Sequence, residues 1–144
     1  MRHTNKLAVV AMVVLALAVV SAGCARKTTK ASGGAAGLNR VHFDFDKYNI
    51  KSEHDGTMKG NADWLQKNKS TKLTVEGHCD ERGTAEYNIA LGDRRAKSAK
   101  NYLQNLGVDS GRTSTISYGK ERPICLQHDE SCWWQNRRDE FVAK

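Results

Sequence analysis

At 144 residues the chain has room for one folded domain and not for two. Its formal charge of +7 comes from basic residues spread along the sequence, not from a cluster, which argues against nucleic acid as a partner; modest attraction to an anionic polymer is enough to account for it. The four cysteines lack the close pairing and extra ligands of a zinc site, which argues against a metal centre.

Residues 1–23 read as a leader. Arg2, His3 and Lys6 form a positive start, and Leu7 to Val20 is an uncharged apolar run of 14 residues, short for a membrane span and suited to a signal peptide. Small residues Ser21-Ala22-Gly23 precede Cys24. This arrangement resembles a bacterial lipoprotein signal, with Ser21 where such signals usually carry Leu. Cys24 then becomes the acylated first residue of the mature chain, its acyl chains burying methylenes worth about 0.8 kcal/mol each. Ala25, in place of Asp, favours the outer membrane. Losing Arg2 and Lys6 lowers the charge from +7 to +5. The small, polar, Gly-rich stretch 25–38 reads as a flexible tether, reaching at most on the order of 45 Å.

The folded part is expected from Asn39. Val41, Phe43 and Phe45 alternate with polar residues, predicting a strand with all three on its buried face. Tyr48-Asn49 reads as a turn, and Ser52 is the candidate N-cap of a helix burying Met58, Ala62 and Leu65 and fraying near Asn68. Residues 72–77 form a second strand with Leu73 and Val75 on one side. Ile89, Gly92, Ala96, Ala99, Leu103 and Leu106 recur at steps of three and four, predicting a second helix capped by Gly107. Asn88, Leu91 and Arg95 fall along its flank, facing the domain edge. Ser114, Ile116 and Tyr118 suggest a third strand. Residues 123–131 read as a loop, 133–138 as a short helix and 140–143 as a last strand. This order predicts a small α/β (α+β) sandwich with helices on one face of a mixed sheet.

Export places the cysteines in an oxidising compartment. Cys125 and Cys132, with six residues between them in one expected loop, are expected to form a disulfide contributing roughly 2 kcal/mol. Cys79 reads as a small buried thiol. His42, His54, His78 and His128 show no ligand spacing.

The chemistry concentrates in Gly77-His78-Cys79-Asp80-Glu81-Arg82-Gly83-Thr84, then Tyr87-Asn88 and Leu91-Gly92-Asp93-Arg94-Arg95-Ala96. A carboxylate ends a strand, and a guanidinium follows in the next helix. Asp80 and Arg95 together suit a ligand bearing both an ammonium and a carboxylate, as bacterial cell-wall peptides do. Taken singly, Asp80 is an N-cap candidate, Arg94 a solvated charge and Phe45 a core residue.

Together with Phe43-Asp44-Phe45-Asp46-Lys47-Tyr48, Ser117-Tyr118-Gly119-Lys120-Glu121 and Asn136-Arg137-Arg138, these motifs resemble the peptidoglycan-associated lipoproteins of Tol–Pal systems. Residues Val41 to Val142 resemble the wider OmpA-like domain. The lipoprotein leader separates this family from porin-like barrels and flagellar stator proteins. Cys79 in place of Ala or Thr, the Cys125/Cys132 loop and Trp133-Trp134 depart from the family pattern.

The resemblance implies a four-stranded mixed sheet and three regions: leader 1–23, acylated Cys24 with tether to 38, and a peptidoglycan-binding domain over 39–144. It implies an outer-membrane lipoprotein, anchored through Cys24 with its domain in the periplasm, that tethers the membrane to the cell wall and supports envelope integrity and cell division. Its partners would be the diaminopimelate-containing stem peptide, outer-membrane lipid and the Tol periplasmic propeller protein, with no cofactor. Asp80 would accept from the ligand ammonium and Arg95 would clamp a carboxylate with its planar fork. Phe45 would give apolar contact and Asp46 would accept donors. Arg82 and Gly83 would shape the loop, Asn88 would pair with the peptide backbone and Leu91 would pack beside it. Asn136-Arg137-Arg138 reads as structural, bonding across to a carboxylate. Two rival readings are a lipoprotein acting mainly through Tol-protein contacts and a murein-cleaving enzyme using His78, Asp80 and Glu81. The latter lacks two carboxylates recognisably held across a cleft.

Overall fold

A computed structural model describes residues 37–144. The expected leader, Cys24 and the tether up to residue 36 lie outside the described residues. Leu38, read above as the last tether residue, is a core residue at 4% exposure. Asn39 is pinned from both sides, its N–H donating to Asn61 Oδ1 and its carbonyl accepting from Asn61 Nδ2, each at 2.8 Å.

Four strands form one mixed sheet: β1 (Val41–His42), β2 (Leu73–His78), β3 (Thr113–Gly119) and β4 (Arg138–Ala143). Their spatial order is β1-β4-β2-β3. β2 and β3 run parallel, while β4 is antiparallel to both β1 and β2. Helices α1 (Asp55–Lys67), α2 (Ala85–Asn105) and α3 (Glu130–Asn136) complete the fold. α2 forms the crossover between the parallel strands β2 and β3, which a short hairpin turn could not join. Met58, Leu65, Val75, Leu103 and Phe141 meet in one core. Complete burial of a side chain such as Phe141, at 0% exposure, is worth about 1.5–3 kcal/mol. The fold is the mixed-sheet α+β sandwich expected.

The first strand is shorter than alternation predicted. β4 begins at Arg138, so after Phe43 N–H donates to Arg137 O at 2.9 Å the ladder has nothing left to pair with. The chain instead turns at Phe45-Asp46, with Asp46 in the left-handed region at φ 57°, three residues before the turn expected at Tyr48-Asn49. Phe45 therefore leaves the core and is 56% exposed. Ser52 is not the cap of α1 but the first residue of a 3-10 turn, Ser52–His54, that leads into it. Beyond the far end of α1, the Arg112 guanidinium donates to the carbonyls of Leu65, Asn68 and Thr71, satisfying acceptors the helix leaves open.

α2 lies close against β2. A Cβ placed on Gly77 would meet Gly92 O at 2.0 Å, so the helix and strand backbones touch at these two glycines. Gly107 ends the helix at φ 90°, and the next N–H, of Val108, turns back to Leu103 O at 3.0 Å. α2 buries Gly92, Ala96, Ala99 and Leu103 as the expected stripe has it, but differs toward its start. Asn88, Leu91 and Arg95 are buried, whereas Ile89 is 42% exposed. The reason is local: the first turns of α2 lie beyond the end of β2 and pack on loops whose backbone carbonyls need donors, so polar side chains go inside there.

Candidate functional site

The site is built where β2 runs out. Cys79 N–H still bonds Gly119 O at 2.8 Å, and Asp80 is the next residue. The loop 81–84 then turns into α2. Thr84, not Asp80, caps that helix, its Oγ1 accepting from Tyr87 N–H at 3.2 Å. Asp80 is thus free for other work, and is 4% exposed. Its Oδ1 accepts from the backbone N–H of Arg82 at 3.1 Å and from Arg82 Nε at 3.3 Å. Its Oδ2 accepts from Arg82 Nη2 at 2.6 Å and Arg137 Nη1 at 3.1 Å. Burial opposes the charge on Asp80, yet the bonds from Arg82 and Arg137 hold its carboxyl below the ordinary value.

Arg95 is fully buried at 0% exposure, not on a solvated flank. Its Nε donates to Lys47 O at 2.8 Å, Nη1 to His78 O at 2.8 Å and Nη2 to Asp44 O at 3.2 Å. It stitches the Asp44–Lys47 turn to the end of β2, with its guanidinium 4.9 Å from the Phe43 ring centroid. Burial lowers its pKa. Its Nη1 also donates to Cys79 Sγ at 3.5 Å, so four of its five N–H groups have these acceptors, and the residue lines the adjoining cavity.

That cavity, of about 240 Å³, brings the seven candidate ligand residues together: Phe45, Asp46, Asp80, Arg82, Asn88, Leu91 and Arg95. Cys79, Gly83, Tyr87 and Arg137 complete its wall. Asn88 is committed to the loop, donating from Nδ2 to Arg82 O at 2.9 Å and Thr84 O at 3.1 Å, which leaves its side-chain Oδ1 for a ligand. Tyr87 OH donates to Asp46 Oδ1, linking the start of α2 to the first turn. The Cys79 thiol donates to Asn88 O at 3.3 Å, and burial pushes its pKa up to about 11. Arg137 was legible only as part of a structural signature. The carboxylate it reaches is Asp80, while its Nε holds Phe43 O at 2.9 Å and its Nη groups hold Glu130.

A second wall stands behind the loop. Cys125 and Cys132 are bonded, with Cα atoms 5.0 Å apart. Asn136 fastens this loop through Ile124 N–H, Cys125 N–H and Cys125 O. His128 and Trp133 both bond Glu81, at 2.7 Å for each closest contact. The guanidinium of Arg82 lies between two rings, 4.0 Å from the Phe45 centroid and 4.2 Å from that of Trp133. Among the described residues no group of three or more His, Cys, Asp or Glu side chains is arranged to hold a metal ion.

Comparison with known proteins agrees with this picture. Residues 42–132 match the model of the OmpA family. The peptidoglycan-associated lipoprotein of Mesorhizobium japonicum is 42% identical over 146 aligned positions, covering 88% of this chain and 87% of that protein. The peptidoglycan-associated lipoprotein of Pasteurella multocida is 43% identical, covering 93% and 96%. The crystal structure of the peptidoglycan-associated lipoprotein from Burkholderia pseudomallei superposes with a TM-score of 0.71 at 39% identity, over 73% of this chain and 89% of that one. The C-terminal domain of Helicobacter pylori MotB shares the fold, with a TM-score of 0.69 at 23% identity over 75% and 85% of the two chains. With a family model spanning most of the folded part and relatives aligned nearly end to end, the chain belongs to the OmpA family and, within it, to the peptidoglycan-associated lipoproteins.

Proposed function

We propose that the cavity between β2 and α2 binds the diaminopimelate-bearing stem peptide of peptidoglycan. One observation carries this reading: a single cavity is walled by an ionised carboxylate, Asp80, and a buried guanidinium, Arg95. Diaminopimelate carries the matching ammonium and carboxylate on one side-chain end. Phe45 and Leu91 supply apolar contact to the intervening methylenes, and Asp46 and Asn88 Oδ1 accept from amides. Relatives 42% and 43% identical are named for association with peptidoglycan.

The same residues disfavour catalysis. A general acid needs a raised pKa, and Asp80 is held ionised by two guanidinium groups. Glu81 is committed to His128 and Trp133. His78 is buried, and burial lowers its pKa to about 4, too low for a base at neutral pH. Binding without turnover is the function.

In the wider reading, Cys24 carries an acyl anchor in the outer membrane, residues 25–36 form the leash, and the folded domain grips the wall from the periplasm. The protein then belongs to a Tol–Pal-type system, with the Tol propeller protein as its second partner, serving envelope integrity and division. Co-sedimentation with purified diaminopimelate-type sacculi tests the central claim. The protein is expected to pellet with sacculi and Asp80→Ala to remain in the supernatant. A wild-type protein that stays in the supernatant overturns the reading.

A further inference from the structure

We propose that Arg82 is a resident cation: in the empty cavity it occupies the place against Asp80 that a ligand ammonium takes, and binding swings it across to Glu130. This inference rests on the function proposed above and concerns how that site is controlled.

Asp80 has no capacity to spare. A carboxylate offers about four acceptor directions, and Asp80 receives four hydrogen bonds, three from Arg82 and one from Arg137. An arriving ammonium must displace one of these donors. Arg137 is poorly placed to leave: it is 5% exposed and also bonded to Phe43 O and Glu130. The side chain of Arg82 is 30% exposed, and its Nη2 lies 3.7 Å from Glu130 Oε2, so a second carboxylate waits beside its present one. The backbone does not need to follow. Arg82 N–H keeps its bond to Asp80, and Arg82 O keeps its bond from Asn88 Nδ2 at 2.9 Å.

The slot that Arg82 would vacate is already a cation site. Phe45 and Trp133 face its guanidinium on either side, and Asp80 closes the end. A ligand ammonium entering there exchanges one cation for another, and Asp80 stays paired throughout. A neutral ligand cannot make that exchange, because it would leave a buried carboxylate short of a partner. The resident arginine is therefore a specificity element: it closes the slot to ligands without a positive charge.

The test uses the full-length protein in detergent and the tripeptide L-alanyl-D-glutamyl-meso-diaminopimelate, with affinity read by calorimetry. If the open state is on the order of a tenth of the population, apparent affinity is reduced about ten-fold. Arg82→Gln is therefore expected to bind the tripeptide about ten-fold tighter than wild type. Glu130→Gln, which removes the destination, is expected to weaken wild-type binding and to have a smaller effect in the Arg82→Gln background. Equal or weaker binding by Arg82→Gln overturns the proposal. A measurement on the wild-type protein guards against a misfolded variant: the Arg82 Nε–H resonance should be slow to exchange when the cavity is empty and should shift at tripeptide saturation. An unchanged resonance at saturation also overturns it. Wild-type binding with no gain in Arg82→Gln defeats this proposal alone, whereas a wild-type protein that binds no tripeptide defeats the peptidoglycan reading itself and this proposal with it.

Discussion

Arg137 Nη1 donates to Asp80 Oδ2 at 3.1 Å across 57 residues of chain, joining the last helix to the end of the central strand β2. Because both partners are nearly buried, each protects the other from the cost of an uncompensated charge. Arg137→Met is expected to cost about 1–3 kcal/mol in urea unfolding, the loss of charge-assisted bonds, and not the ~3–5 kcal/mol of a stranded charge, because Arg82 still pairs with Asp80. A loss below about 1 kcal/mol would mean that the pair is no stronger than a surface ion pair.

Asp80 and Arg95 should respond differently to removal. Asp80→Asn keeps the shape and is expected to lower tripeptide affinity by roughly ten- to hundred-fold, the loss of a charge-assisted bond worth about 1.5–3 kcal/mol, with a smaller fall in melting temperature than Arg95→Ala because Arg137 keeps Glu130 as a partner. Arg95→Ala instead strands the carbonyls of Lys47, His78 and Asp44, so it should lower the melting temperature as well as affinity. Calorimetry paired with thermal melts separates the two. Unchanged melting of Arg95→Ala would show that those carbonyl bonds carry little stability.

Asp139 sits in the sheet at 0% exposure with neither carboxylate oxygen hydrogen-bonded in the protein. Burial raises its pKa well above the ordinary carboxylate value, against the pull of Arg95 and Arg138. A folded-state pKa above the unfolded one, about 3.9, gives stability that is complete below that value and lost as pH rises toward the folded pKa. Asp139→Val is therefore expected to stabilise the protein at pH 7, by about 1–3 kcal/mol, and to have a smaller effect near pH 3. Destabilisation at pH 7 would show that a bound water satisfies the carboxylate.

The histidines act in the opposite direction. Burial, aided by Arg40 for His42 and by Arg138 for His78, lowers both pKa values to about 4. Their contribution is present above the unfolded value, about 6.5, and is lost as pH falls toward 4. Unfolding midpoints measured from pH 7 to 4 should fall less steeply for His78→Gln than for wild type. An identical slope would mean that His78 titrates normally in the folded protein.

The alternation of Leu73 and Val75 and the small residues of α2 were enough to predict a helix against a sheet, because those patterns report burial against flat apolar surface. They failed where burial was polar. Arg95 has the sequence environment of a surface arginine, and nothing in helical periodicity says that loop carbonyls will close over it. Phe45 continued an alternating pattern, but its strand had no partner left, and pairing across 94 residues between Phe43 and Arg137 leaves no trace in local spacing. Asp80 and Arg95 were legible as a chemical pair through the joint motif. Arg137 was not legible as part of the cavity wall, since its role depends on where the last helix ends.

The entry of the chain into the domain has a mechanical consequence. A pull on residue 37 is borne first by the paired bonds between Asn39 and Asn61, then by a ladder only two residues long. That ladder leads directly into the turn whose carbonyls hold Arg95. A load applied at residue 37 and the shape of the cavity are therefore connected in series, and a load strong enough to peel the edge strand reaches the wall of the cavity before it reaches the central strands.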